Sequence, residues 1–95
     1  MGSQLLIIRP VHFLPGKKEQ AIKWAKETEE TRRRCGMISQ MLVQGISDRG
    51  EYLFIQVWDS PAAYEKWKSS SERAELVSDR QRLVAHDVTK LYEII

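Results

Sequence analysis

Three aromatic side chains stand close together in WDSPAAYEKWKSSSERAELV, residues 58–77. Trp58, Tyr64 and Trp67 could wall a pocket for a flat hydrophobic molecule, and the Tyr64 hydroxyl could give or take a proton beside a phenolic substrate. Trp67 follows Tyr64 at helical spacing, so the two share one helical face with Ala63. Core packing accounts for that face as well as a pocket wall does. Trp58 likewise ends a strand whose alternation already asks for a large apolar group. Two arginines stand on apolar faces: Arg9 on the side of Ile7 and Val11 in a strand-like segment, and Arg80 between Val77 and Val84. A guanidinium there is costly unless it is paired or its stem reaches out to water. Either arginine could grip an anionic group through a forked hydrogen bond, or be held by a nearby carboxylate.

The remaining chemistry-bearing residues are sparse. Cys35 is the only cysteine, so neither an intrachain disulfide nor a cysteine-rich metal site is available. Its neighbours Arg32, Arg33 and Arg34 give a reason for a lowered pKa, but an isolated thiol reads as structural. The two histidines, His12 and His86, fall near strand ends and read as surface, edge or contact residues. No P-loop, dinucleotide fingerprint, zinc-ligand spacing or nucleophile elbow is present.

The elements that must position these residues follow from pattern. Residues 4–14 (QLLIIRPVHFL) read as a first strand closed by Pro15-Gly16, with Pro10 suggesting an edge or a bulge. From Lys17 the spacing of Ala21, Ile22, Ala25 and Thr28 predicts one helix stopped by Gly36, with Trp24 flanking the core. Residues 37–47 and 51–58 form a hairpin about Asp48-Arg49-Gly50. Asp59 or Ser60 caps a short helix that has Pro61 at its first position and reaches about Lys68. Ser69-x-x-Glu72 fits a capping box for a further helix to about Ala85, and residues 86–95 make the last strand. The order is that of a single α+β domain over residues 1–95: a ferredoxin-like βαββαβ sandwich with a four-stranded antiparallel sheet. Ile7, Val11 and Phe13 alternate with Leu6, Ile8 and Leu14, and Leu53, Ile55 and Val57 alternate with Tyr52, Phe54 and Trp58. Both sheet faces are therefore apolar, and because helices cover only one, a two-fold homodimer is expected.

Composition excludes several classes. The chain has 95 residues, 42% hydrophobic and 29% charged, with a net charge of +2. The Arg32-Arg33-Arg34 run falls at a helix end, where cations meet the negative end of the dipole, so no nucleic-acid partner is expected. No apolar run reaches the roughly 20 residues of a membrane span, and the N-terminus lacks a signal-peptide layout. A cytoplasmic protein without a membrane partner is expected.

The run Trp58-Asp59-Ser60-Pro61-Ala62-Ala63-Tyr64-x-x-Trp67, the Ser69-Ser70 that follows, and Pro15-Gly16 after the first strand resemble the antibiotic biosynthesis monooxygenase family. The resemblance implies a dimeric α+β barrel with a pocket between each sheet and its helices. In the cofactor-independent quinone-forming oxygenases of that family, a strand Asn, the Trp ending that strand and a helix Tyr act on a phenolic polyketide. Trp58 and Tyr64 match the last two, whereas Phe54 occupies the Asn position and the chain contains no asparagine. In the haem-degrading branch a helix Trp matches Trp67, but Val77 occupies the position of the iron-ligating His. The expectation is a small oxygenase without a bound cofactor, with haem binding and a non-catalytic ligand-binding or stress-related dimer as alternatives. Tyr64 and Trp58 are the catalytic candidates. Trp67, Phe54, Val77, Arg80, Arg9 and Gln56 are the candidates for contacting a small hydrophobic aromatic substrate, with Gln56 or Arg9 donating in place of the missing Asn. A cavity between the sheet and the helices of residues 60–85 separates the ligand-binding readings from a domain filled by its own side chains.

Overall fold

Alternation in the first strand sets the sheet. In the computed structural model, which describes residues 3–95, β1 (Leu5–Phe13) buries Leu5, Ile7 and Val11 and turns Leu6 and Ile8 to the opposite side. It pairs antiparallel with β3 (Tyr52–Trp58), from Leu5 opposite Trp58 to Val11 opposite Tyr52. The far edge of β3 pairs with β2 (Met37–Gln44), with an irregularity between Met37 and Ser39. The hairpin between them is closed by the Gly50 amide donating to the Asp48 carboxylate at 2.9 Å.

The expected last strand is two short ones, β4 (Val84–His86) and β5 (Lys90–Glu93). Both pair with the other side of β1, so the sheet has five strands and not four. Pro10 therefore lies in an interior strand, contrary to the edge or bulge its presence suggested. The Asp87 amide donates to the Pro10 carbonyl at 3.0 Å, so that side of Pro10 faces the β4–β5 junction. Proline has no N–H to offer there, and the ladder is interrupted where its donor would be needed.

The helix expected from Lys17 to Gly36 is also interrupted. It comprises α1 (Lys18–Glu27) and α2 (Glu29–Arg34), separated at Thr28. The Thr28 hydroxyl donates to the Trp24 carbonyl at 2.7 Å, a side-chain competition for the backbone that bends helices. Gly36 ends α2 at φ +116°, and a Cβ there would lie 3.0 Å from that of Ala63, so both conformation and space call for glycine.

α3 (Pro61–Lys68) starts as expected, with the Ser60 hydroxyl accepting from the Ala63 amide at 3.0 Å. α4 (Ser71–Leu83) is capped by Ser70, not Ser69: the Ser70 hydroxyl accepts from the Arg73 amide at 3.1 Å. Ser69 instead donates to the Lys66 carbonyl. The one-residue shift dissolves the expected capping box.

Leu5, Ile7, Met37, Trp58, Tyr64 and Trp67 form the core under α3, with Trp58 wholly buried. Each such large side chain contributes about 1.5–3 kcal/mol on burial. By register, Leu6, Ile8, Leu53, Ile55, Val57, Met41 and Tyr92 share the other sheet face. Among the described residues nothing covers that face: Met41 is 53% and Tyr92 46% exposed. Among the described residues no helix is long and apolar enough to cross a membrane.

Candidate ligand cleft

A cleft opens between the helix-facing side of the sheet and all four helices. Its floor is Arg9 and Val11 of β1, Gln40 of β2, Phe54 and Gln56 of β3, and Val84 and His86 of β4. Its walls are Trp24 and Ala25 of α1, Arg32 of α2, Tyr64 and Trp67 of α3, and Arg73, Leu76, Val77 and Arg80 of α4. Its cavity volume is only about 50 Å³, well below the usual range of small-molecule sites. The cleft is thus narrow, and a ring-sized ligand needs a side chain to swing aside.

Two polar networks line it. The Trp58 indole N–H donates to Gln56 Oε1 at 3.0 Å, Gln56 Nε2 to Gln40 Oε1 at 3.2 Å, and Gln40 Nε2 to the Ala25 carbonyl at 3.1 Å. This chain satisfies a buried glutamine among apolar groups. In the second network Arg9 donates from Nε to the Thr89 hydroxyl at 3.1 Å and from Nη2 to the Tyr64 hydroxyl at 3.2 Å. The Tyr64 ring meets Trp58 edge-on at 5.4 Å between centroids.

Arg32 is 7% exposed. It donates to the Ala25 carbonyl at 3.4 Å and its guanidinium lies 5.0 Å from the Trp24 ring centroid. Burial first, then the charges of Arg9 and Arg80, lower its pKa to about 10, with Glu29 opposing. Arg80 is lowered by burial and then by Arg9 and Arg73, with Tyr64 opposing. Among the described residues, none of Arg9, Arg32, Arg73 and Arg80 forms an ion pair. The indole N–H of Trp24 is buried without an acceptor.

Of the sequence candidates, Tyr64, Trp67, Arg9, Phe54, Gln56, Val77 and Arg80 all line the cleft. Trp58 does not line it. It lies in the core beneath, 5.8 Å from the Trp67 ring, and reaches the cleft only through its hydrogen bond to Gln56. Arg32, Arg73, Trp24 and Gln40 were missed. Arg32 stands in the last turn of α2, as the sequence suggests, and its side chain also turns into the cleft. Helical spacing puts Arg73, Val77 and Arg80 on one side of α4, a signal the sequence did contain. His86 stands at the mouth on β4. His12 faces the other way and pairs with Asp87 at 3.3 Å. Cys35 departs from the lowered pKa its arginine neighbours suggested: burial, then Glu72, push its thiol up.

The fold is a ferredoxin-like antiparallel α+β sandwich with a cleft between sheet and helices. Residues 6–78 match the model of the antibiotic biosynthesis monooxygenase family, and the chain belongs to that family. Among solved structures it is similar to SnoaB, a cofactor-independent oxygenase from Streptomyces nogalater, with a TM-score of 0.82 at 13% identity, covering 99% of this chain and 95% of that one. It is similar to a candidate antibiotic biosynthesis monooxygenase from Chloroflexus aurantiacus, with a TM-score of 0.77 at 20% identity, covering 98% and 94%. It is also similar to a conserved protein of unknown function from Bacteroides thetaiotaomicron, at 0.78 and 18%, covering 99% and 100%. No curated protein matches the sequence.

Proposed function

We propose that this member of the monooxygenase family is a cytoplasmic homodimer that oxidises a flat, electron-rich phenolic or quinol-type molecule without a bound cofactor. The observation that carries the reading is the Tyr64 hydroxyl held 3.2 Å from Arg9 Nη2 in an aromatic-walled cleft. A cation beside the substrate oxygen favours its enolate or phenolate, the form that gives up an electron to dioxygen. For an anthrone-type substrate, one oxygen atom enters the ring methylene as a carbonyl, and its two hydrogens leave with the other oxygen as water. Tyr64 can carry the proton, and Arg9 has N–H groups left for the substrate oxygen. Gln56 is the weaker candidate, since both ends of its amide are engaged. The similarity to a cofactor-independent oxygenase supports the same chemistry. The homodimer rests on the bare apolar sheet face, which a second copy covers most economically. The cytoplasmic setting rests on a single unpaired cysteine.

Oxygen uptake with anthrone tests the reading. Uptake above the uncatalysed rate, cut by about 10²-fold or more in Tyr64→Phe, is expected. Equal uptake by wild type and variant would remove Tyr64 from the chemistry.

A further inference from the structure

We propose that the cleft selects substrates bearing an anionic group, a carboxylate or a phosphate attached to the flat body, and that Arg32 and Arg80 are the residues that bind it. The inference rests on the cleft being the substrate pocket and adds a substrate class to it. Four guanidinium groups, those of Arg9, Arg32, Arg73 and Arg80, line one narrow cleft, and no carboxylate among the described residues pairs with any of them. Structural arginines that turn inward normally bring a carboxylate partner, because an unpaired buried charge is expensive. Here the Arg32 side chain has only one long hydrogen bond, to a backbone carbonyl, and the Arg80 side chain has none among the described residues. The nearby acid that could have served, Glu29, is paired with Arg33 at 3.4 Å.

The rest of the unfilled capacity has the same sign. The Trp24 indole N–H, buried in a residue that lines the cleft, lacks an acceptor. The unfilled capacity of Trp24, Arg32 and Arg80 is all donor or cation, so a ligand complementary to it brings acceptors and negative charge. A planar oxyanion can take the forked donors of an arginine two at a time, which a phenol cannot. The aromatic and aliphatic walls, Phe54, Trp67 and Val77, receive the ring. Arg80, half-buried and without a side-chain hydrogen bond among the described residues, is the side chain free to swing as the narrow cleft opens.

The test uses the whole protein and follows tryptophan fluorescence and binding heat with 1-naphthoate, 1-naphthyl phosphate, inorganic phosphate and neutral 1-naphthol. At low salt the two ring anions are expected to bind at least about tenfold more tightly than 1-naphthol, the step that one good charge-assisted contact gives. That advantage should shrink as salt rises. Whichever ring anion binds more tightly names the head group. Arg80→Gln should weaken both anions about tenfold and 1-naphthol less than twofold. Arg32→Met should do the same, and circular dichroism of each variant checks that it is folded. Equal affinity for 1-naphthoate and 1-naphthol, or unchanged anion affinity in both folded variants, overturns the proposal. Oxygen uptake with neutral anthrone separates the two readings. Uptake without anion preference defeats only this inference, and anion binding without uptake from any electron-rich substrate defeats only the oxidation.

Discussion

Replacing Arg32 by methionine should make the ligand-free protein more stable and weaken its response to anions. Methionine keeps much of the stem and deletes the charge. The fall of the Arg32 pKa to about 10 converts, at about 1.4 kcal/mol per tenfold, to a cost of about 3 kcal/mol for holding the cation in the fold. The protonated form is the one the fold disfavours, so this cost is present in full below the folded pKa. It is relieved only as pH rises from about 10 toward the unfolded value, and between pH 6 and 9 it is constant. Against the gain stand the lost bond to the Ala25 carbonyl, about 1 kcal/mol, and the lost stacking on Trp24, about 1 kcal/mol. Gln40 still occupies that carbonyl. The net is about 1 kcal/mol of added stability, a rise in Tm of about 4–8 °C for a domain of this size. Thermal unfolding followed by circular dichroism at pH 7.5 and fixed protein concentration measures it. Inorganic phosphate at tenfold excess over its wild-type Kd should then raise the wild-type stability by about 1.4 kcal/mol and that of the variant, binding about tenfold more weakly, by only about 0.4 kcal/mol. A variant less stable than wild type, or one stabilised by phosphate as much as wild type, would rule out an unpaired Arg32 cation as the anion's partner.

Three further outcomes follow from the same geometry. Trp58→Phe opens space in the core and strips Gln56 Oε1 of its donor, so it should cost about 2–4 kcal/mol in denaturant unfolding; a loss below 1 kcal/mol would show that the Gln56–Gln40 chain re-forms without the indole. Ile55→Lys puts a charge at the middle of the bare sheet face and should yield a folded monomer by light scattering, and a dimer that survives would locate the interface elsewhere. Cys35, its thiol raised by burial and then by Glu72, should react with iodoacetamide at pH 7 more slowly than free cysteine. Glu72→Gln should speed that reaction, and a wild-type rate equal to free cysteine would contradict the assignment.

Local rules made much of the fold legible. The alternation of β1 and β3, the turn at Asp48-Arg49-Gly50, Pro61 after Ser60 and the stop at Gly36 are statements about one strand or one helix turn, and each held. What failed was decided by competition between local signals. Ser70 capped α4 in place of Ser69 because either serine suits a cap and backbone geometry chose. The helix broke at Thr28 because a threonine hydroxyl can bond to the backbone four residues back, which apolar spacing does not reveal. The last strand split because the requirement came from a residue about 80 positions earlier, Pro10, whose missing donor faces the β4–β5 junction.

The candidate site divides along the same line. Sequence alone determined that aromatic groups would cluster near the hairpin-to-helix junction and that Arg9 and Arg80 would lie on apolar faces, because period 2 and period 3.6 fix which side chains share a side. It also determined that the Asn positions of the family's oxygenases would be empty, since the chain has no asparagine. Packing in three dimensions set Trp58 beneath the cleft, turned Arg32 inward, and brought four arginines together with no paired acid among the described residues. Convergence of that kind depends on how β1, α2 and α4 pack around one space, and neither period carries that information.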